Sequence, residues 1–239
     1  MFRHRGKNRT YFHNIKLASL LSFVAGTVNI VGVLSIKILT TNITGHFAFF
    51  SEEVVLKDYY DAALYLLFIG CFFGGAFSSS LLVEFISRFR KFQSHFIPLL
   101  IEIFILSLIG LSADFKIIIS PNVIACLLLF AMGLQNSLVT RVSQSVVRTT
   151  HLTGIFTDLG IEMSKLFFYG NAISYSHLKK SIMLKIVIVL CFFSGGVIGG
   201  FTYEVFHIKT LLFSVGILLF VIWYDRLLYK YYVLKRKLR

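Results

Sequence analysis

The sequence predicts an all-α fold, a polytopic bundle of transmembrane helices built from two repeated halves. Three kinds of observation predict it: a high apolar content, long apolar segments with few charges, and pairs of matching motifs in the same order. Hydrophobic residues make up 56% of the 239 residues and charged residues 15%, and the mean hydropathy is +0.79. Soluble domains usually carry about a quarter charged residues, so a soluble fold is disfavoured.

The apolar segments are long enough to cross a bilayer, since about 20 helical residues span a hydrocarbon core of about 30 Å. The segment 96–111 reaches that length only if its helix continues into the flanks. Two shorter segments, 43–56 and 152–168, follow the first and the fourth long ones. The predicted spans are residues 17–36, 62–86, 96–111, 117–139, 182–206 and 211–229.

Lys and Arg residues predict the topology, because they collect in cytoplasmic loops. If the six long segments cross and the two short ones do not, every basic cluster falls on one side. Six crossings with both termini in the cytoplasm are therefore favoured. Eight crossings stay the alternative, because a tilted short helix can span a thinned bilayer. Only Lys37, Lys57, Lys116 and Lys209 lie on the opposite side in the six-crossing arrangement.

Charge and composition also bear on partners. The formal net charge is +13, but the basic residues stand beside helix ends and not on one face, so anionic lipid headgroups are expected and nucleic acid is not. Cys71, Cys126 and Cys191 lie in apolar segments without metal-ligand spacing. No enzyme motif, cofactor or metal site is predicted.

The chain repeats itself. TTNITG at 40–45 matches TTHLTG at 149–154, and a Glu follows each motif, at 53 and 162. AGTVN at 25–29 resembles MGLQN at 132–136, and CFFGG at 71–75 resembles CFFSGG at 191–196. A single membrane domain, 1–239, then consists of a first repeat, 12–113, and a second, 119–232. With three crossings each, the halves enter the membrane from opposite sides, an inverted repeat typical of secondary transporters.

The TTxxTG segments predict breaks in the helices. Threonine hydroxyls can cap a new helix, glycine allows close approach, and a helix N-terminus carries a partial positive charge that suits an anion or a polar group. Backbone leaves helical form at membrane depth only where it is buried in protein or lines a wet cavity. We therefore expect the two breaks to meet near the midplane in one site for a small polar solute or ion. The alternative is that Thr and Gly only pack helices closely.

Two groups of residues are candidates for this site. The carboxylates could carry a proton or another coupling ion, although Glu162 could instead pair with Lys165. Asn29, Gln135 and Asn136 could instead form hydrogen bonds between helices. The substrate-binding candidates are Asn29, Thr41, Thr44, Gly45, Gln135, Asn136, Thr150, Thr153, Gly154 and Asp158, and the coupling candidates are Glu53, Glu102, Asp158 and Glu162.

The motifs resemble those of the YoaK family of bacterial membrane proteins, which carry a domain of unknown function. The resemblance covers nearly the whole chain and rests on Gly26 with Asn29, TNITGH at 41–46, AMGLQN at 131–136 and TTHLTGIFTDLG at 149–160. It implies a multi-pass protein of the bacterial inner membrane. The family tends to carry Asp at the position of Asn29 and Asn at the position of His46. If that Asp carries protons or binds a cation, Asn29 cannot replace it by titrating.

Two functions follow as hypotheses. The first is a secondary transporter whose substrate site contains the two breaks. The second is a non-transporting bundle that acts as a receptor-like or assembly partner. In that case Asn29, Asn136 and Asp158 would be bonded to each other in a dry interior.

Overall fold

The computed structural model describes residues 11–89, 96–115, 117–143, 147, 149–168 and 172–237. The basic residues Arg3, Arg5, Lys7, Arg9, Arg90, Lys91, Lys116 and Arg148 lie outside these ranges. Within them the secondary structure is helical and no strand occurs, which confirms the all-α prediction. The helices are α1 (Tyr11–Ile36), α2 (Ile43–Leu56), α3 (Tyr59–Phe89), α4 (Phe96–Leu111), α5 (Pro121–Ser143), α6 (Leu152–Lys165), α7 (Ala172–Phe206) and α8 (Thr210–Lys237), with a 3-10 turn (His207–Lys209) before α8.

Most of the chain has the surface of a membrane protein, and its long helices have the length of membrane spans. Large apolar side chains point out of the bundle; Phe73 is 68% exposed and Phe193 is 66% exposed. Such a surface is stable in lipid but not in water. Four helical stretches of the described chain are long and apolar enough to cross a membrane: Asn14–Ile36, Tyr59–Arg88, Pro121–Ser143 and Tyr175–Leu227, the last of which contains both α7 and α8. The chain is a helical membrane protein.

Helix α4 is the short span. Its 16 residues give a length of about 24 Å, less than the hydrocarbon core of about 30 Å. Residues 96–111 were expected to span the core only if the helix extended into its flanks. On the C-terminal side the helix ends at Leu111 and a turn follows at once. A short span is accommodated when the bilayer thins locally.

Two helix pairs make the most extensive contacts, α1 with α7 and α3 with α5. The first helix of each half thus packs on the third helix of the other half. In the pair α1 and α7, a Cβ added to Gly26 would lie 2.0 Å from the carbonyl oxygen of Phe192. A Cβ added to Gly195 would lie 2.1 Å from the carbonyl oxygen of Phe23. Glycine is required here because the two backbones touch.

The pair α3 and α5 repeats this contact. A Cβ added to Gly75 would lie 2.1 Å from the carbonyl oxygen of Phe130, and one added to Gly133 would lie 2.1 Å from that of Phe72. These residues occupy the positions that match Phe23, Gly26, Phe192 and Gly195 in the other half. The two interfaces therefore have the same geometry.

Helices α1 and α5 run antiparallel. Gln135 donates a hydrogen bond to the carbonyl of Leu21, whereas Gly32, farther along α1, lies against Leu128, which is earlier in α5. With eight crossings α1 and α5 would be parallel, because three crossings, α2, α3 and α4, would lie between them. Three crossings in the first half give the observed direction.

Helices α4 and α8 are also antiparallel. The guanidinium of Arg226 lies 6.0 Å from the ring centre of Phe96, near the start of α4. At the other end of α4, Gly110 faces Leu212. These directions again fit six crossings and not eight.

Candidate functional site

The first break folds back along the helix that precedes it. Lys37 has φ 60°, in the left-handed region, and ends α1. The amide of Ile38 then donates to the carbonyl of Gly32, and Thr40 is fully buried. A Cβ on Gly32 would lie 2.5 Å from Cγ2 of Thr40, so glycine makes room for the returning chain.

A side-chain hydrogen bond sets the depth of this break. Thr41 Oγ1 donates to Oδ1 of Asn29 over 3.0 Å. Asn29 lies about two turns, or roughly 10 Å, before the end of α1. Helix α2 begins two residues after Thr41, so its N-terminus lies beside α1 about two turns inside the C-terminal end of that helix. This is a re-entrant half-helix.

Gly45, the glycine of the first TTxxTG motif, contacts the N-cap residue of its own helix, α2. Asn42 is the N-cap of α2, and its Oδ1 accepts a hydrogen bond from the amide of Gly45 over 3.0 Å. A Cβ on Gly45 would lie 2.9 Å from Nδ2 of Asn42, so the cap side chain occupies the space that the sequence reserved for another backbone or a ligand. Thr44 is exposed.

His46 is buried behind this N-terminus. It is 2% exposed, and its Nε2 donates to the carbonyl of Leu39 over 2.8 Å. Its ring centre lies 5.8 Å from that of Phe68 and 6.1 Å from that of Tyr65, both on α3. Because Nε2 carries the donated proton, the neutral ring keeps Nδ1 as an acceptor, and Nδ1 has no partner. The sequence marked His46 only as a departure from the YoaK pattern.

The second break is tied to both halves. Gln135 Nε2 donates to the carbonyl of Leu21 over 3.0 Å and to Oγ1 of Thr149 over 3.5 Å. Gln135 and Thr149 are fully buried, and Thr150 is partly buried. The buried Oδ1 of Asn136 has no partner.

The second half-helix begins with the same layout. His151 is the N-cap residue of α6, and its ring covers Gly154, where a Cβ would lie 2.3 Å from Nδ1. No side-chain hydrogen bond caps this helix. Thr153 is exposed, as Thr44 is in the first half.

The two breaks are tied to α1 at different levels. The first bonds directly to Asn29, and the second is linked through Gln135 to Leu21, about 12 Å away along the helix. No hydrogen bond between described residues joins one break to the other. These contacts indicate two polar levels in series, not the single meeting point that the sequence led us to expect.

Different chemistry holds the two half-helices in place. Lys185 on α7 pairs with Glu162 over 2.6 Å and with Asp158 over 3.6 Å, and Ser181 donates to Glu162 over 2.8 Å. The partner of Glu162 is therefore Lys185, and not Lys165 as the sequence suggested. In the first half, Tyr65 of α3 stands at the position that matches Lys185. Its ring stacks on Phe49 of α2, with ring centres 5.4 Å apart, so an aromatic contact takes the place of the ion pair.

The family of the chain follows from a comparison with known families. The family model described as "Protein of unknown function (DUF1275)" matches residues 17–224. The chain belongs to this family. The match covers both breaks and every crossing helix, so the whole re-entrant architecture lies inside the DUF1275 region. The resemblance to the YoaK family stays a prediction. No curated protein and no solved structure matches the chain.

The DUF1275 region of this chain contains a fully buried carboxyl group. Glu102 is 0% exposed, on the same face of α4 as the buried Leu99 and Leu106. Neither carboxyl oxygen has a hydrogen-bond partner. Of the predicted coupling residues, Glu102 alone is completely enclosed, since Asp158 is exposed and Glu53 and Glu162 are partly exposed.

An acidic cluster lies at the outer end of the α2–α3 hairpin. Carboxylate oxygens of Glu53, Asp58 and Asp61 lie within 4.8 Å of one another. Partial desolvation, followed by the negative charges of Asp61, Asp58 and Glu52, raises the pKa of Glu53 above its ordinary value of 4.5. These groups are exposed or partly exposed, and exposed acidic groups are common without a bound ion.

The raised pKa of Glu53 predicts a pH-dependent stability. The folded state binds the proton more tightly than the unfolded state, so this stabilising contribution is present below about pH 4.5 and is lost as the pH rises through the folded pKa. We expect Glu53→Gln to raise the thermal midpoint slightly at neutral pH and to leave it unchanged near pH 4. Thermal unfolding of purified protein across this range measures the difference. Glu52→Gln, outside the cluster, should have a smaller effect; an equal effect would contradict the assignment.

Proposed function

We propose that the protein is a secondary transporter of a small polar solute or ion, and that its polar route includes the two breaks. The observation that carries the proposal is the pair of half-helices that begin inside the bundle, one in each half, with matching N-terminal geometry. Inverted repeats with discontinuous helices are a common architecture of secondary transporters. Broken backbone at membrane depth costs stability unless it is buried in protein or lines a wet cavity.

The half-helix N-termini favour one class of cargo. Free amide groups at a helix start carry a partial positive charge. No acidic side chain occurs in the first turn of α2 or α6. An anion or a neutral solute rich in acceptor oxygens is therefore better suited to these ends than a cation.

Orientation and partners are part of the proposal. Six crossings leave both termini on one side, and we assign that side to the cytoplasm of a bacterial cell, with the protein in the inner membrane, because the basic clusters lie there. The basic helix ends then contact anionic headgroups on the cytoplasmic leaflet. We assign no enzymatic activity and no nucleic-acid partner.

Proteoliposomes test this function with defined solutes. We expect at least one of chloride, formate, phosphate, glycerol and urea to cross faster in vesicles that hold the full chain than in protein-free vesicles. Thr41→Val removes the bond to Asn29 without changing the shape of the side chain. Combined with Thr150→Val at the matching position, it should slow that flux about tenfold, the effect of losing about one good hydrogen bond in the route. Stopped-flow light scattering and ion-selective electrodes measure the rates.

Thr202→Val is the matched control, because Thr202 Oγ1 bonds only to carbonyls within its own helix, α7. Its flux should equal that of the wild type. Wild-type fluxes equal to those of empty vesicles for every solute would contradict transport of this class and favour the non-transporting bundle.

The contacts argue against a non-transporting bundle held by bonds among Asn29, Asn136 and Asp158. No hydrogen bond joins these three among the described residues. Asn29 bonds to Thr41, and Asp158 pairs with Lys185.

A further inference from the structure

Glu102 has an environment that a carboxylate ion does not tolerate. It lies inside α4, about 9 Å from Phe96 and about 12 Å from Gly110 along the helix. Its neighbours on the buried face are Leu99, Ile105 and Leu106. An ionised carboxylate without donors in such a place is strongly disfavoured, and intramembrane carboxyls are retained mainly where they serve a function.

The charged groups on the surrounding helices do not neutralise it. On α5, Arg141 is engaged by Ser80 and pairs with Glu84 of α3. On α8, Arg226 lies against Phe96, and Asp225 carries the same sign of charge as a carboxylate. Two further basic groups lie near the ends of neighbouring elements. Arg88 is in the last turn of α3, and Lys209, in the 3-10 turn with His207, pairs with Asp114. None of these described groups donates a hydrogen bond to Glu102.

The helix registers bring Glu102 to the level of the second break. Phe96 and Gly110 of α4 face Arg226 and Leu212 of α8, so Glu102 lies level with the middle of that stretch. The same stretch of α8 also contacts α1. Tyr224 and Phe213 of α8 lie against Lys16 and Phe23 of α1, so Glu102 falls between the levels of these two contacts. Glu102 therefore lies within about one helical turn of the depth of Leu21.

Leu21 is the residue whose carbonyl binds Gln135, the side chain that also holds Thr149. At this depth the unpartnered buried atoms include both oxygens of Glu102, Oε1 of Gln135 and Oδ1 of Asn136, which are hydrogen-bond acceptors, and the hydroxyl of Ser22, which can also donate. One free hydroxyl cannot satisfy all four acceptors. An excess of acceptors requires a donor. A proton supplies one to Glu102 with no further ligand, whereas a metal cation would need several oxygens around it.

We propose that Glu102 is a proton-binding site inside the bundle, which holds a proton at neutral pH at the depth of the second break. The assignment rests on the proposed function in one respect: in a transporter, this proton is the coupling ion. The residue has no counterpart in the second half, because no acidic residue of α8 occupies the matching region around residues 217–222. Coupling would thus involve one half only.

Infrared spectroscopy of the full chain in lipid vesicles tests the site without any substrate. We expect the carbonyl stretch of a protonated carboxylic acid at neutral pH, absent in Glu102→Gln and unchanged in Glu53→Gln. Gln is close in shape to a protonated Glu, so the variant should fold. Glu102→Asp provides a second variant, in which the band should shift and not vanish.

Two spectroscopic results would overturn the proposal. One is the absence of the band at neutral pH in the wild type, or its persistence in Glu102→Gln. The other is its loss when sodium chloride replaces choline chloride at constant pH, which would assign a metal cation to the site.

A pH-sensitive dye inside the vesicles tests the coupling. Once a solute is known to cross, its gradient should drive proton movement in the wild type and none above the empty-vesicle level in Glu102→Gln. Solute flux without proton movement in the wild type would overturn the coupling and leave the proposed function standing. A protonated Glu102 with no flux of any solute would count against the proposed function and not against the site.

Discussion

Alanine at Gly26, Gly75, Gly133 or Gly195 is expected to destabilise the fold more than alanine at any other glycine that the structure describes. At each position the new Cβ would lie 2.0–2.1 Å from a carbonyl oxygen of the partner helix. A backbone cannot rotate away as a side chain can, so the helix pair must separate by about 1 Å along its length. We expect a loss of about 3 kcal/mol, at the upper end for overpacking, and a fall in thermal midpoint of roughly 6–12 °C.

The chain supplies matched controls for this prediction. Gly70, Gly160 and Gly216 are also helical glycines, and a Cβ on any of them would meet nothing within 4 Å. Alanine there should be neutral or should stabilise by up to about 1 kcal/mol, because it improves helix propensity. The thermal midpoints of both sets of variants are measured on detergent-purified protein, with size-exclusion chromatography to monitor unfolding. Equal midpoints for the two sets would show that the helix pairs do not pack at the glycines.

Replacement of Lys185 by methionine is expected to have the second largest effect. The ammonium group of Lys185 is the cationic partner of Glu162 and Asp158, and its side chain is only 15% exposed. Its loss leaves the carboxylate of Glu162, 19% exposed, with only the hydroxyl of Ser181 as a donor. Loss of one partner from a buried pair costs about 3–5 kcal/mol and an exposed pair contributes little, so we expect about 2 kcal/mol here.

A second substitution should restore most of the stability that Lys185→Met removes. Glu162→Gln in the Lys185→Met background removes the unpaired charge, and the thermal midpoint should return most of the way to the wild-type value. Lys179→Met is the control, since Lys179 lies on the same helix and its ammonium contacts only the ring of Tyr175 among the contacts described. If Lys185→Met and Lys179→Met gave the same midpoint, α6 would not be held by this ion pair.

Much of the fold could be predicted because it follows from local chemistry. Lipid excludes unpaired peptide groups, so long apolar segments of this length form helices whatever surrounds them. Helix α5 begins at Pro121, and α2 and α6 begin at the TTxxTG motifs, since proline and capping residues act within one turn. Asp158 and Glu162 are four residues apart, so the sequence also places them on one face of α6.

The site could be predicted only in part, because its remaining members come together through the packing of distant segments. His46 had no pattern of its own, and its burial depends on Tyr65 and Phe68 of the next helix. Gln135 was identified as a polar residue in a span, but its bond to Leu21 crosses between the halves. The glycines of the motifs were assigned to a ligand or a neighbouring backbone, and the structure shows that the cap side chains of Asn42 and His151 occupy that space.

By itself the sequence determined the membrane class, the helical content, the repeat motifs and the positions of the breaks, because each depends on hydropathy and on short-range backbone chemistry. Only the tertiary structure decided that the first helix of each half packs on the third helix of the other, that Lys185 pairs with Glu162, and that the two breaks are tied to α1 about 12 Å apart, the second through Gln135. Such choices depend on which helix faces meet, and that is set by the close approach of backbones at a few glycines and by the burial of polar groups far apart in the chain.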